Sequence, residues 1–330
     1  QAMFAPMTDL RPVEPLLKRL LDDLSIVDAT YDTARTRAQK YANTLIRDRE
    51  FGVVGAQVGG SIGKGTAIKP LSDVDLYLYL DEPSWQTTRG EALRPSTIIG
   101  RLRARVAQRL HFELDAGHAR IRKQRHSVGI HFVKRGSVGI DVVPAIVRGG
   151  DIQEALIPNR RIDAFVATSV ERQLALIEEL DSPLRYLRRG IRLLKFWNRQ
   201  ADAHLHSYAV EVLGMFVVTR ECKRTALGVF QAALEFMAAT NMREPVFIQR
   251  YFDYRPPRRR ACIIFDPAMP DNNLGDHLGA HVGDRLGTAA RRSLARLEKA
   301  AGFARQGRMH VSAERVSEAF GQPGLIPWTA

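Results

Sequence analysis

The sequence predicts an α+β fold whose strands lie in the N-terminal half and whose C-terminal half is helical. Residues 51 to 147 carry the strand-like segments, among them the run of Val, Leu and Tyr from Asp73 to Leu80. Beyond about residue 160 the pattern becomes almost wholly helical. Two domains are therefore expected, residues 1–160 and residues 161–330, and a chain of 330 residues is long enough for both.

A long amphipathic helix is predicted before the first strand. Its apolar residues advance in steps of three and four, so they lie on one stripe of a helix. These positions are Leu17, Leu21, Leu24, Val27, Tyr31, Ala34, Ala38, Tyr41 and Leu45. We expect one continuous helix from about Val13 to Asp48, belonging to the N-terminal domain, and a helix of that length would brace more than one part of the molecule.

The later elements follow from similar patterns. A helix is expected near residues 96–111, and a hairpin is expected from residues 128–133 and 138–143. Ser182-Pro183 offers a cap and a first-turn proline for a helix in the second half. That helix carries a basic stripe, interpreted either as a solvated face or as anion contacts, at Arg185, Arg188, Arg192, Lys195 and Arg199.

Composition excludes several classes of protein. The apolar fraction of 45% with mixed charge is typical of a globular chain rather than a disordered one. No apolar run approaches the roughly 20 residues that span a membrane. Cys222 and Cys262 are too few for a disulfide framework or a cysteine-rich zinc site. The first residues do not resemble a secretion signal, so we expect a cytoplasmic protein with no membrane partner.

The balance of charge predicts anionic partners. The formal net charge of +13 suits nucleotides, nucleic acid or acidic lipid alike. A basic loop at residues 254–260 is interpreted either as solvated or as a nucleic-acid contact. Charge therefore supports phosphate chemistry without choosing a substrate, and nucleic acid is a partner that the chemistry allows but does not require.

The residues that carry chemistry begin at a glycine-rich turn followed by a strand with two carboxylates. Gly60-Ser61 lies in a strand-turn-strand pattern whose second strand starts with Asp73 and Asp75. A turn with exposed backbone amides binds anions, and side chains two apart on a strand point the same way. We therefore expect a phosphate-binding turn beside two carboxylates on one face of a strand.

Two neighbouring carboxylates repel each other unless a cation lies between them. Mg2+ is the expected ion, because it takes hard oxygen ligands and completes its shell with water and substrate phosphates. Asp141 interrupts an otherwise apolar strand, which costs free energy unless the carboxylate has a partner. Asp73, Asp75 and Asp141 are thus predicted to be both metal ligands and catalytic residues, holding two Mg2+ ions, with Mn2+ as an alternative.

The glycine-serine turn with its three aspartates resembles the active site of the polymerase-beta-like nucleotidyltransferase superfamily. Three later segments narrow the resemblance to the oligoadenylate synthetase and cyclic GMP-AMP synthase group, in particular the bacterial CD-NTases of anti-phage (CBASS) signalling. Leu193–Asn198 is similar to the group's lysine-containing helix, Ser207–Leu213 to its Ser-Tyr-Ala-Leu-Glu segment, and Ile264–Asn273 contains its Asp-Pro-x-x-Pro-x-Asn motif. These anchors span residues 59–273 in the group's order.

The resemblance implies a fold. It is a polymerase-beta-like core, a mixed sheet with flanking helices, plus a helical oligoadenylate synthetase-like C-terminal domain that completes the nucleotide pocket. The group's arrangement is bilobed, with the active site in the cleft.

The resemblance also implies nucleotide contacts. Gly60 and Ser61 would hold the β- and γ-phosphates, Lys195 would place a point charge on the triphosphate, and Ser207 would add a hydrogen bond. Three further residues have two interpretations each. Tyr208 would stack on the donor base or pack between helices, whereas Asp266 and Asn272 would lie near the base pocket or close their own loop.

The predicted activity is attack by a ribose hydroxyl on the α-phosphorus of a nucleoside triphosphate, ATP or GTP, with release of pyrophosphate. The product would be a cyclic or linear oligonucleotide second messenger that acts on a separate effector. Two alternatives stay open. One is an RNA-end transferase of the CCA-adding or tRNA-modifying type, which the net charge of +13 would suit. The other is a catalytically silent nucleic-acid sensor, which the three aspartates disfavour.

One departure from the group limits the inference. The sequence lacks the zinc-binding cysteine and histidine cluster of cyclic GMP-AMP synthase. Activation by double-stranded nucleic acid is therefore not implied.

Overall fold

The computed structural model describes residues 9–26, 28–47, 51–134, 136–181, 186–201, 205–221, 224–252, 262–276 and 278–326. The chain forms two compact units. The first unit is Ile26–Leu176, and the second joins the residues up to Ser25 with those from Ile177 onward. The basic loop at residues 254–260 lies outside the described residues.

The helices are α1 (Glu14–Leu24), α2 (Asp28–Ile46), α3 (Gly60–Gly63), α4 (Pro95–Arg109), α5 (His111–Asp115), α6 (Val170–Asp181), α7 (Tyr186–Gln200), α8 (Ser207–Glu221), α9 (Ala226–Thr240), α10 (Ala280–Arg305) and α11 (Met309–Ala319). The strands are β1 (Val53–Val58), β2 (Asp73–Asp81), β3 (Ala119–Lys123), β4 (Val128–Phe132), β5 (Gly139–Val147), β6 (Ala155–Asn159), β7 (Ala164–Thr168), β8 (Phe265–Asp266) and β9 (Met269–Asn273). Within the described parts of the chain, no helix combines the length and the apolar character needed to cross a bilayer.

The first unit is built on a mixed sheet. Its strands follow the order β1-β2-β5-β4-β3, while β6 pairs with β5 and β7 pairs with β6. The neighbours β2 and β5 run parallel, whereas β1-β2, β3-β4, β4-β5, β5-β6 and β6-β7 are antiparallel. The predicted hairpin is therefore present as the antiparallel pair of β4 and β5, and the helix expected near residues 96–111 is α4.

Alternation along β2 decides which way its carboxylates point. Val74, Leu76 and Leu78 are at most 1% exposed and belong to the core cluster that also includes buried residues of α2 and α4. Successive side chains of a strand point to opposite faces. Asp73 and Asp75 therefore lie on the face opposite that core.

The predicted helix from Val13 to Asp48 is two helices instead of one. Helix α1 ends at Leu24, and Ser25 adopts extended backbone angles with φ −68° and ψ 133°. The Ser25 hydroxyl donates to the Leu21 carbonyl at 2.7 Å, and this bond offers the backbone an alternative to continuing the helix. The β-branched Ile26 that follows lowers helix propensity further. The apolar stripe itself is confirmed, because Leu17 and Ala38 are almost fully buried, but α1 and α2 belong to different compact units.

The unit boundary lies inside α6, between Leu176 and Ile177. The sequence places the domain boundary near residue 160 instead. Strand β7 explains the difference, because its pairing with β6 keeps residues up to Thr168 with the sheet. The assignment of catalysis to residues 1–160 and of nucleotide-pocket completion to residues 161–330 stays a prediction.

The second unit is mainly helical. Helices α8 and α9 are buried along most of their length, and Phe230 of α9 stacks on Phe320 with ring centroids 5.2 Å apart. Strands β8 and β9 form a small antiparallel pair, and β8 contacts α8. The predicted change from strands to helices along the chain is therefore observed.

Candidate active site

Three aspartates converge at one end of the parallel strand pair. In the register of β2 and β5, Asp75 lies beside Asp141 and Asp73 lies beside Gly139. One carboxylate oxygen from each of Asp73, Asp75 and Asp141 can be chosen so that all lie within 4.8 Å of one another. The structure therefore brings together the three residues that the sequence predicts to be metal ligands.

The glycine turn lies against this cluster. It connects β1 to the single helical turn α3, and the Gly59 amide donates to the Asp75 carbonyl at 3.0 Å. Gly60 has φ +58°, and a Cβ atom built on it would lie 1.7 Å from Asp75 Oδ2. Both the backbone angle and the close approach require glycine at this position. The predicted phosphate-binding turn thus touches the predicted metal ligands directly.

The three carboxylates repel one another in this arrangement. Burial, together with the neighbouring carboxylates of Asp73 and Asp75, raises the pKa of Asp141 from 3.8 to about 7, against the opposing effect of a hydrogen bond from Gln124. A cation would remove that repulsion, and a cluster of carboxylate oxygens suits a hard divalent ion. The donor set therefore fits Mg2+ or Mn2+.

Lys195 is buried in the second unit. Its Nζ donates to Glu211 Oε1 at 2.5 Å, and the two side chains are 7% and 1% exposed. Arg199, on the same predicted basic stripe, is exposed. The stripe is therefore not uniform: Arg199 is exposed, Arg188 forms an ion pair with the buried Asp181, and Lys195 is buried against Glu211 of α8.

Tyr208 and Asp266 contact each other in the second unit. The Tyr208 hydroxyl donates to Asp266 Oδ1 at 2.7 Å, and the same oxygen accepts the Ala268 amide at 2.8 Å. Ser207 is exposed at the first position of α8. Asp266 thus closes its own turn and also fixes the tyrosine ring by its polar end.

Asn273 closes the loop after β9. Its Oδ1 accepts the backbone amides of Ile264 at 3.0 Å and of Gly275 at 2.9 Å. Asn272, the predicted residue beside it, is half-buried. Asn273 therefore helps to close this loop, and both roles considered for Asn272 stay predictions.

Comparison with known proteins identifies the family. The family described as "SMODS: Second Messenger Oligonucleotide or Dinucleotide Synthetase domain" matches residues 12–180, just over half of the 330 residues. The chain belongs to the SMODS family.

Individual relatives agree with this assignment. The SMODS protein is 24% identical over 273 residues to the cyclic AMP-AMP-AMP synthase of Escherichia coli strain MS 115-1, covering 77% of this chain and 80% of the relative. The solved structure of E. coli MS115-1 CdnC with ATP matches 95% of this chain and 98% of its own, with a TM-score of 0.78 at 20% identity. The structure of the CD-NTase CdnG of Bradyrhizobium diazoefficiens in complex with GTP matches with a TM-score of 0.65 at 12% identity. This match covers 94% of this chain and 98% of CdnG.

These findings confirm several predictions about the SMODS protein. It is a bacterial CD-NTase with the predicted α+β fold. At the level of the family it is a nucleotidyltransferase that makes an oligonucleotide or dinucleotide second messenger. Neither the family nor these relatives support the RNA-end transferase alternative.

The sequence did not reveal Gln124 as part of the site. Its Nε2 donates to Asp141 Oδ1 at 2.9 Å, and its Oε1 accepts the Ser127 hydroxyl at 2.6 Å. Gln124 follows β3, on the opposite side of β4 from β5, so only long-range pairing brings it to the carboxylate. The tight turn at residues 124–127 is a local feature of the sequence. No residue near Gln124 in the sequence, however, indicates a contact with Asp141.

Metal binding by the SMODS protein is expected to depend on pH. In the metal-free protein the raised pKa of Asp141 means that the carboxyl is protonated at pH 6. The contribution of this group to stability is therefore present below pH 3.8 and is lost as pH rises through about 7. Metal must displace that proton, so the rise in Tm on adding Mg2+ should be larger at pH 8 than at pH 6.

Thermal melts with and without Mg2+ check this expectation. Asp141→Asn is the control, because the amide does not titrate and should remove most of the pH dependence. An equal Mg2+-induced shift in Tm at pH 6 and pH 8 for the unmodified protein would contradict it.

Removing one partner of the buried ion pair is expected to destabilise the second unit. Lys195→Met leaves the Glu211 carboxylate without its cation, which costs about 3–5 kcal/mol for a buried pair. The double variant Lys195→Met/Glu211→Leu should recover most of that loss, because it leaves no uncompensated charge. Urea unfolding measures both.

The stable double variant also separates two roles of Lys195. If the lysine contacts the triphosphate, the double variant should be folded yet show a raised KM for the nucleotide. Wild-type KM in the double variant would restrict Lys195 to stabilising the fold.

Proposed function

We propose that this SMODS protein joins ATP molecules into a cyclic oligoadenylate at the cluster of Asp73, Asp75 and Asp141. The observation that carries the proposal is the convergence of these carboxylates within 4.8 Å beside the glycine turn. ATP is favoured as substrate because the relative from E. coli is named a cyclic AMP-AMP-AMP synthase. The E. coli CdnC structure with ATP is also a better structural match than the CdnG structure with GTP.

The carboxylates would hold two divalent ions, Mg2+ or Mn2+. Asp73 and Asp75 would share the ion on the triphosphate, and all three aspartates would hold the second. When bound, these ions neutralise charge on the phosphates and lower the pKa of the attacking hydroxyl.

The turn would bind the phosphates that leave. The first amides of a helix have no intrahelical partners, and α3 begins at Gly60 and Ser61. The Gly60 amide would donate to the β-phosphate and the Ser61 hydroxyl to the γ-phosphate. Because Gly60 lies against Asp75, the leaving pyrophosphate would lie beside the carboxylates proposed to hold the ions.

Asp141 would take the proton from the attacking hydroxyl. Its place in the cluster puts a carboxylate oxygen beside those of Asp73 and Asp75, where an attacking hydroxyl held by the ions would lie within reach of a proton acceptor. The hydroxyl oxygen then forms a bond to the α-phosphorus, and the bond from the α-phosphorus to pyrophosphate breaks. Repetition lengthens the chain, and attack by its own terminal hydroxyl on its remaining triphosphate closes the ring with loss of a last pyrophosphate.

The second-unit assignments rest on the resemblance and on local contacts. Lys195 and Ser207 would bind the triphosphate, and Tyr208 would stack on the adenine. The ring of Tyr208 is buried and its hydroxyl is held by Asp266, so the stacking role rests on the resemblance alone. Asn272 would lie near the same base.

The decisive test is identification of the product. Purified protein is incubated with each radiolabelled nucleoside triphosphate and with all four together, in Mg2+ or Mn2+, then treated with phosphatase. A phosphatase-resistant compound that forms from ATP alone and has the mass of a cyclic oligoadenylate is expected. Nuclease digestion of that compound gives its linkages and ring size.

Other outcomes would change the proposal. A resistant product that requires GTP would replace the substrate, and label transferred to added tRNA would favour RNA-end chemistry. Absence of any resistant product under all nucleotide and metal conditions would count against the synthase activity of this chain.

A separate effector would receive the product, because a second messenger acts only through a receptor. The family description motivates this part of the proposal. Filter binding with the purified radiolabelled product tests proteins from the source cell as receptors. Retention of all the label by the synthase itself, with none on any other protein, would contradict it.

A further inference from the structure

Gln124 is a polar side chain that touches the carboxylate cluster without belonging to it. Its Nε2 donates to Asp141 Oδ1 at 2.9 Å. A carboxylate can rotate, because the torsion between its sp3 and sp2 carbons has a broad energy profile. A donor at a fixed position therefore decides which way the two oxygens of Asp141 face.

Ser127 fixes the Gln124 side chain from the other end. The Ser127 hydroxyl donates to Gln124 Oε1 at 2.6 Å, and the backbone N–H of Gln124 donates to the backbone carbonyl of Ser127 at 2.9 Å. Ser127 is only 4% exposed, so solvent does not compete strongly for these bonds. With its carbonyl oxygen engaged by the hydroxyl, the Gln124 side chain presents its NH2 group to Asp141.

Gly129 provides the room for this contact. It lies directly opposite Asp141 in the pairing of β4 and β5. A Cβ atom at Gly129 would lie 2.5 Å from Gln124 Nε2 and 3.1 Å from Asp141 Oδ1. Glycine is therefore required on β4 for Gln124 to reach across this strand.

We propose that Gln124 is a positioning residue that orients Asp141 for metal binding, with Ser127 holding Gln124 in place. The inference rests on the proposed function of Asp141 as a metal ligand. Hydrogen-bond partners of metal ligands typically contribute 10- to 100-fold to metal affinity. The Ser127-Gln124-Asp141 series has the geometry of such a partner set.

Mn2+ binding, followed by electron paramagnetic resonance in the absence of nucleotide, tests the proposal directly. Gln124→Met keeps the length of the side chain and removes its donor, so Mn2+ affinity should fall about 10- to 100-fold. Arg125→Met is the matched control in the same loop. Arg125 donates to Asn159 Oδ1 at 3.2 Å and not to Asp141, so this variant should stay within about twofold of wild type.

A double-variant cycle tests the role of Ser127. Ser127→Ala alone should weaken Mn2+ binding, whereas Ser127→Ala added to Gln124→Met should weaken it little further, because Ser127 acts through Gln124. Equal losses in both backgrounds would show that Ser127 acts independently and would overturn that part of the proposal. Thermal melts of each metal-free variant confirm that it is folded.

Asp141→Asn distinguishes an error in the proposed metal site from an error in the proposed role of Gln124. If Asp141→Asn binds Mn2+ as tightly as wild type, the metal site itself is wrong. If Asp141→Asn loses Mn2+ but Gln124→Met, shown to be folded, binds it normally, the site stands and the positioning role is overturned. If both variants lose affinity and Arg125→Met does not, the proposal is supported.

Discussion

Asp75→Asn is expected to abolish product formation while leaving the protein folded. Asp75 is central to the cluster, because it pairs in register with Asp141 and its carboxylate lies against Gly60. The amide keeps the shape of the side chain but removes one negative charge from the three carboxylates proposed to hold the metal ions. Metal ions contribute several kcal/mol to transition-state stabilisation, and a loss of about 4 kcal/mol corresponds to about a 1000-fold lower rate.

Asp81→Asn is the matched control for this prediction. Asp81 is the last residue of the same strand β2, and its side chain points to the same face as that of Asp75. It lies at the opposite end of the strand, in register with Val147. Its substitution should leave the rate of product formation within about twofold of wild type, in line with a surface substitution. Single-turnover rates measured at saturating Mg2+ check both variants. Near-normal turnover by folded Asp75→Asn would remove Asp75 from the metal site.

The carboxylate cluster shows what local pattern can predict. The two-residue spacing of Asp73 and Asp75 fixes their common face, because strand periodicity is a property of the backbone. Asp141 was predictable as an ionisable group in an apolar strand. Its alignment with Asp75 depends on the parallel pairing of β2 and β5, which joins residues far apart in the sequence.

Gln124 shows where sequence reasoning stops. A glutamine in a short turn is usually solvated, and neither its spacing nor its neighbours distinguish it. Its contact with Asp141 exists because β4 lies between β3 and β5 and carries glycine at position 129. Such a contact arises from the packing of three strands, and no pattern in the sequence indicates it.

The N-terminal helix shows a different limit. Its apolar stripe was correctly predicted, but the stripe continues across Ser25 without a break. Periodicity reports which face is buried and not whether one helix or two bury it. The helix ends where Ser25 bonds back to Leu21 and adopts extended angles, and α1 and α2 then belong to separate compact units.

The prediction that Lys195 contacts the triphosphate depended on two observations: the family's lysine-containing motif and the position of Lys195 on the basic stripe of a helix. The last four residues of the basic stripe lie on α7 and differ in exposure, whereas Arg185 lies outside the described residues. Lys195 is buried against Glu211 of α8, a partner that belongs to the Ser207–Leu213 segment found by resemblance. Two segments recognised separately in the sequence are thus joined by one ion pair.

Gly60→Ala is expected to lower turnover at least about 100-fold. The added methyl group would lie 1.7 Å from Asp75 Oδ2, so the carboxylate or the turn must move by more than 1 Å. Misplacement on that scale costs about 100-fold in rate. The positive φ of +58° adds backbone strain, which costs about 1–2 kcal/mol for an L-residue.

Gly117→Ala separates the strain from the displacement. Gly117 has a similar φ of +69°, but no heavy atom lies within 4 Å of a Cβ built on it. Gly117→Ala should therefore lose about 1–2 kcal/mol of folding stability. Gly60→Ala should lose at least as much, because the displaced atoms add to the strain, and only this variant should lose activity. Urea unfolding and kcat measured on the same preparations distinguish the two effects. Equal kcat values for the two variants would mean that the contact between Gly60 and Asp75 does not set the geometry of the site, and that the turn can move without displacing the carboxylate.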